Sequence, residues 1–363
     1  MLISTLWLKL PVSVLLACLI SYASTPVVKY IAIMIGAMDI PREARRMHDH
    51  PIPRMGGLAI FIGFLLTTLL FAELDRQTQG ILLGAIVITV VGIIDDLLAL
   101  KAWVKFVGQI LAAGIAVYFG VTIRFFMNPV SFIGADFISL QALSLPITMV
   151  WIIGVTNAVN LIDGLDGLAC GVSAIAAMTM FVVALMVSQF GMAVMLAALL
   201  GACVGFLPYN RNPAKIFMGD TGAMLLGYLL ATTSAAGLFK FYAVVTFVVP
   251  LLALALPLAD TGFAFVRRLA KGQSPFRPDR GHLHHRLVDM GLNQKQAVAI
   301  LYSLSALLGL AAVVAVSEGL VRIILLGLSA VVAVIMSRFI HHTLIAEQPK
   351  VQTEEEEEHL ETV

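Results

Sequence analysis

Polar motifs interrupt an otherwise apolar sequence, and their residue types define the chemistry available. Asp95 and Asp96 are adjacent in VGIIDDLLAL, while Asn157, Asn160, Asp163 and Asp166 share NAVNLIDGLDGL. Asp220 lies in KIFMGDTGAM. Arg267 and Arg268 precede SPFRPDRGHLHHRL, which holds His282, His284 and His285. Asp39 and His48 lie in MDIPREARRMHDHPIPRMGG. Adjacent acids repel, and a helix C-terminus disfavours anions, so Asp95 and Asp96 call for cations or a metal nearby. An interfacial anchor is the plainer use of such a pair.

In NAVNLIDGLDGL, Asn157 and Asn160 lie three apart and share a helix face, and Gly164 and Gly167 end the helix just after Asp163. Exposed backbone and four oxygen-bearing side chains suit a divalent cation such as Mg²⁺ with a phosphate-bearing ligand, or form an Asx-capped turn. The glycines around Asp220 let backbone approach a ligand near a helix N-terminus, where Asp220 or Thr221 could equally be a simple cap. The histidines lack the i, i+4 spacing of a helical zinc pair, and no cysteine joins them. Among arginines they fit phosphate binding or proton movement, or a basic loop that only sets topology.

The elements that position these residues must be membrane helices. The 363 residues are 60% hydrophobic and 12% charged, with mean hydropathy +0.97. Apolar runs recur at 10–35, 56–73, 80–98, 102–119, 143–162, 167–188, 191–207, 221–238, 243–265, 297–316 and 321–340. The expectation is an all-α, polytopic integral membrane protein with about eleven transmembrane helices, since lipid leaves no partner for unpaired backbone groups. Loops 36–55, 208–220 and 266–296 hold most of the Lys and Arg, including Arg42, Arg54, Lys215 and Arg277. The positive-inside rule turns that face to the cytoplasm, and every polar motif falls on it. Segment 120–142 reads as an external loop with a short hairpin.

A net charge of +1 gives no basis for nucleic-acid binding. Cys18, Cys170 and Cys203 lie in apolar runs and read as packing residues. The first apolar run continues to Ile35, which suits a first span better than a cleaved signal peptide. Residues 1–346 form one polytopic domain in this reading, and 347–363, with Glu354 to Glu358 in a run, an acidic disordered tail.

From Asp39 to Arg286 the motifs, in order, resemble the polyprenyl-phosphate N-acetylhexosamine-1-phosphate transferases: DD, NxxNxxDGxDGL, FMGDxG and SPF…DRxHxHH. The resemblance implies ten or eleven membrane helices and a cytoplasmic cleft. It implies Asp220 as a Mg²⁺ ligand with Asn160 beside it, Mn²⁺ being able to substitute. Asp95, Asp96 and Asp163 would be catalytic. Asp39, Asn157, Asp166, Asn210, Phe217, Arg268, His282, His284 and His285 would bind substrate, with uracil stacked on Phe217 and the diphosphate and sugar held by Arg268 and the histidines. Where many relatives carry a third acid, DDxxD, this chain has Ala99.

The HLHH sequence after SPF and DR resembles the branch using UDP-N-acetylglucosamine. The implied acceptor is undecaprenyl phosphate, in a bacterial cytoplasmic (inner) membrane, with lipid as surroundings and a second copy, as a homodimer, a candidate partner. Another UDP-N-acetylhexosamine needs only small pocket changes. A secondary transporter, for which Pro250, Pro257 and Asp260 speak, would place polar residues near the bilayer midplane. A lipid-phosphate phosphatase using the histidines would release inorganic phosphate.

Overall fold

A computed structural model describes residues 2–41, 50–127, 137–237, 243–272, 281–335 and 337–338. His48 and the acidic tail lie outside the described residues. The long apolar runs fold as helices: α1 (Leu2–Met34), α2 (Gly57–Phe71), α3 (Arg76–Leu98), α4 (Ala102–Tyr118), α5 (Ser144–Leu161), α6 (Leu168–Met186) and α7 (Phe190–Asn210). After them come α8 (Gly219–Gly237), α9 (Ala243–Ala253), α10 (Ala255–Ala270), α11 (Leu283–Asp289), α12 (Gln294–Val316) and α13 (Gly319–Ile335). Two small antiparallel strand pairs accompany them among the described residues. Strand β1 (Met38–Asp39) pairs with β2 (Ile52–Pro53), and β3 (Phe125–Met127) with β4 (Phe137–Ser139), so the hairpin expected in 120–142 is present.

Among the described residues, six helices are long and apolar enough to cross a membrane, where about eleven spans were expected. Helices α2, α4 and α13 are apolar but shorter. The run 243–265 is divided at Leu254 into α9 and α10, the break lying between Pro250 and Pro257, where each proline removes a helical donor. Helix α8 differs for another reason. Every residue from Thr221 to Gly237 is buried, so the helix meets protein on all sides and tolerates hydroxyl residues that lipid would penalise. Thr232 and Thr233 donate to carbonyls four residues back, at 2.8 and 2.6 Å, which satisfies them locally.

The core is built around α8, which packs on α2, α3, α5, α6 and α7. These crossings depend on absent side chains. A Cβ on Gly57 would stand 2.1 Å from Gly222 Cα, and one on Gly92 would stand 2.4 Å from Thr221 Cα. Close crossings of this kind replace hydrophobic drive, which is lacking in lipid, with dispersion contact. They also bring the N-terminus of α8 beside the C-terminal ends of α3 and α5, where the polar motifs sit.

Candidate active site

The polar motifs meet at one end of the bundle, around a cleft of about 340 Å³, within the range of small-molecule sites. The β1–β2 pair contributes Asp39 and Arg54, and the turn after α5 contributes Asp163 and Asp166. Asn210 comes from the end of α7, Phe217 and Asp220 from the approach to α8, His285 from α11 and Gln294 from α12.

Asp220 opens α8 and faces the cleft. Its Oδ1 accepts from Asn160 Nδ2 at 2.6 Å and stands 3.5 Å from Lys105 Nζ. The same ammonium is 2.7 Å from Asp95 Oδ2, so Lys105 bridges two carboxylates. The other oxygen of Asp95 accepts from Leu100 N at 2.8 Å and closes the turn after α3. There Ala99 adopts a left-handed conformation, φ +49°, at the position where a third acid was absent.

Asp96 has a different environment. Its carboxylate accepts from Asp220 N, Thr221 N and Thr221 Oγ1 at 2.9, 3.1 and 2.6 Å. It therefore caps α8 from another helix, satisfying donors that the helix cannot satisfy itself. Gly219 has φ +71°, and a Cβ there would stand 2.3 Å from Asp96 Oδ2, so this approach requires glycine. Asp96 and Asp95 do not line the cleft; they stand behind Asp220.

Asp163 lines the cleft, and among the described residues no hydrogen-bond donor reaches its carboxylate. Burial, and then the Asp220 and Asp96 charges, push its carboxyl up to about 8. The described cations nearest these acids are already engaged, Lys105 by Asp95 and Asp220 and Arg54 by Asp39 at 2.7 Å. Among the described residues, no group of three or more His, Cys, Asp or Glu side chains gathers around one point. The carboxylates of Asp163 and Asp220 with the Asn160 carbonyl are hard oxygen donors, few in number. That set fits Mg²⁺, which keeps several waters and shares its shell with substrate phosphates.

Asn210, also in the cleft lining, donates from Nδ2 to Ile216 O at 3.2 Å, while its buried Oδ1 has no partner among the described residues. Asn210 and Phe217 both line the cleft, an amide and an aromatic ring of the kinds that suit a flat heterocycle carrying an N–H. Asp166 accepts from Asn212 Nδ2 and Ala214 N, both at 3.0 Å, and so shapes the loop leading to Phe217. Asn157 faces away from the cleft and pairs with Gln109 of α4 at 2.6 Å.

Only His285 of the three histidines lines the cleft. His282 and His284 are buried behind it, and so is Arg268 on α10. Burial, and next the neighbouring His285, lower the His284 pKa to about 4. Sequence reading missed Lys105, Gln109 and Gln294, counted Arg54 only as a topological charge, and weighed Asp260 only as a point for a transporter. Lys105 had a usable signal: a three-residue connection after Leu98 must fold α4 back beside Asp95, one turn from its first residue.

A model described as Glycosyl transferase family 4 matches residues 78–238, which include the first three motifs. The chain is 40% identical over 309 residues to the probable undecaprenyl-phosphate N-acetylglucosaminyl 1-phosphate transferase of Bacillus subtilis (strain 168), covering 85% of each. It is 39% identical over 316 residues to the decaprenyl-phosphate N-acetylglucosaminephosphotransferase of Mycobacterium tuberculosis (strain ATCC 25618 / H37Rv), covering 79% of this chain and 78% of that one. Similarity extends to a phospho-N-acetylmuramoyl-pentapeptide-transferase of Thermoanaerobacter pseudethanolicus (strain ATCC 33223 / 39E), at 33% over 243 residues, 62% of this chain and 75% of that one. The resemblance carried by the motifs is thus matched along most of the sequence, and the chain belongs to glycosyl transferase family 4.

Proposed function

We propose that this protein transfers N-acetylglucosamine 1-phosphate from UDP-N-acetylglucosamine to undecaprenyl phosphate, releasing UMP. The observation that carries this reading is one cleft lined by two unlike sets of residues. Phe217 and Asn210 line it as a seat for a base, and Asp163, Asp220 and Arg54 line it as a charged set suited to a diphosphate, with Lys105 3.5 Å from Asp220.

In the reaction an oxygen of the lipid phosphate forms a bond to the sugar-linked phosphorus. The bond from that phosphorus to the bridging oxygen breaks, and UMP departs with the electron pair. A phosphate monoester has its second pKa at about 6 and needs no strong base at neutral pH. The chain's task is positioning and charge balance. Lys105, held by Asp95, stands beside Asp220 and offsets developing negative charge. Arg54, fixed by Asp39, does so from the β1–β2 side. Asp96 holds the first turn of α8 and with it the direction of Asp220. Mg²⁺, when bound by Asp220, Asp163 and Asn160, would supply further neutralisation of the diphosphate.

Helices α2, α4, α8, α9 with α10, and α13 are read as the remaining crossings, which brings the total to about eleven. The polar end then faces the cytoplasm of a bacterial inner membrane. The test is purified protein with UDP-N-acetylglucosamine, Mg²⁺ and a short polyprenyl phosphate. Acceptor-dependent UMP is expected, lost in EDTA and restored by Mg²⁺. No UMP from any UDP-N-acetylhexosamine would overturn the transferase, and UMP from a different sugar alone would correct the donor.

A further inference from the structure

Two buried residues behind the cleft have no part in the reaction as described. Asp260 of α10 uses both carboxylate oxygens on the histidine segment. Oδ2 is 2.9 Å from His282 Nδ1, and Oδ1 accepts from Leu283 N at 2.7 Å. The ring and the main chain are thus gripped together, and Asp260 and His282 are 8% and 5% exposed. His282 stacks on His284 with ring centroids 5.8 Å apart and planes at 13°, and His284 lies 4.3 Å from the His285 ring. His284 Nε2 fills the space that a Cβ on Gly164 would need, 2.2 Å away. Contacts therefore run from Asp260 through the rings to the Asp163–Asp166 turn, and only His285 reaches the cleft.

We propose that Asp260 and His282 are a positioning pair that pins the histidine segment to α10 and so sets where His285 meets the donor substrate. The inference rests on the transferase reading for its kinetic test. An imidazole whose Nδ1 is held by a buried carboxylate has a fixed ring orientation, the device used behind many metal and catalytic histidines. Here the held ring is itself a support, because it stands behind the cleft wall.

Asparagine at 282 places an amide nitrogen where Nδ1 was, whereas glutamine reaches toward the Nε2 position. On full-length protein, His282→Asn is expected to keep the donor KM within about threefold, and His282→Gln and Asp260→Asn to raise it about tenfold or more, with acceptor KM nearly constant. The double variant Asp260→Asn with His282→Gln should be no worse than the poorer single one, since both remove one contact. Near wild-type behaviour of His282→Gln beside an impaired His282→Asn would mean that Nε2 touches substrate, and would overturn the proposal. Additive effects would overturn it as well. If Asp260→Asn does not fold, the two His282 variants decide between these outcomes. A readout free of catalysis separates this inference from the transferase reading: carbethoxylation of His282 and His284 should rise about fivefold or more in Asp260→Ala. Unchanged labelling would sink the pairing even in an active enzyme.

Discussion

Asp96 and Asp220 carry the same side chain in the same cluster, yet their surroundings give them opposite work. Asp96 is filled by three donors from the start of α8, whereas Asp220 opens to the cleft. Asp220→Asn should lower kcat by about a hundredfold or more at an unchanged melting midpoint. Asp96→Ala strands two N–H groups and a hydroxyl, each costing about 1–3 kcal/mol, and should lower the midpoint and the activity together. A thermal melt in detergent beside the UMP assay separates the two. His284 adds a pH dependence with a definite sign. Its folded-state pKa of about 4 lies below the unfolded value, so docking of the histidine segment is complete above about pH 6.5 and weakens as pH falls toward 4. Protection factors across 281–290, corrected for the intrinsic pH dependence of amide exchange, should be lower at pH 5 than at pH 7.5, and equal protection would contradict the burial of that ring. The motif residues were legible because charge in an apolar sequence is conspicuous. Lys105 and Gln109 were not, because single polar residues inside an apolar helix look like tolerated exceptions until their partners on other helices are known.

Hydropathy located lipid-facing and protein-facing helices alike, with α6, α7 and α8 close to the expected runs, but it did not distinguish the two environments. The run 243–265 reads as one span, but its two prolines divide it, and only packing decides that the break falls at Leu254. Helix α8 carries more polar residues than a lone span would, because its environment is other helices. No single-sequence window contains that information. What holds α8 in place is the set of side-chain-free crossings. Gly57→Leu should be among the costliest changes in the protein, since the new side chain meets backbone at Gly222 and not a flexible neighbour. Overpacking of this sort costs about 1–3 kcal/mol, and the clash with backbone places it at or above the upper end. The yield of monodisperse protein and its melting midpoint report the loss, and wild-type values for both would refute this account of the crossing.

For the molecule as a whole, the orientation proposed for the polar end rests on charge bias and is open to direct labelling. Glu73 and Lys101 are exposed at opposite ends of α3. In intact cells an impermeant maleimide should label Glu73→Cys and spare Lys101→Cys, which should react only after lysis; the reverse would invert the topology. The three native cysteines are buried or partly so, which keeps the background low. The cap that Asp96 places on α8 has one more consequence. A slide of α8 past α3 by one residue, about 1.5 Å, would release the capped donors, so the two helices move as one body along the membrane normal. Bilayers of different thickness act on a polytopic protein mainly by tilting its lipid-facing helices. The cap therefore ties the depth of Asp220 to that of Asp95 on α3, and the two carboxylates are expected to shift together when the bilayer changes thickness.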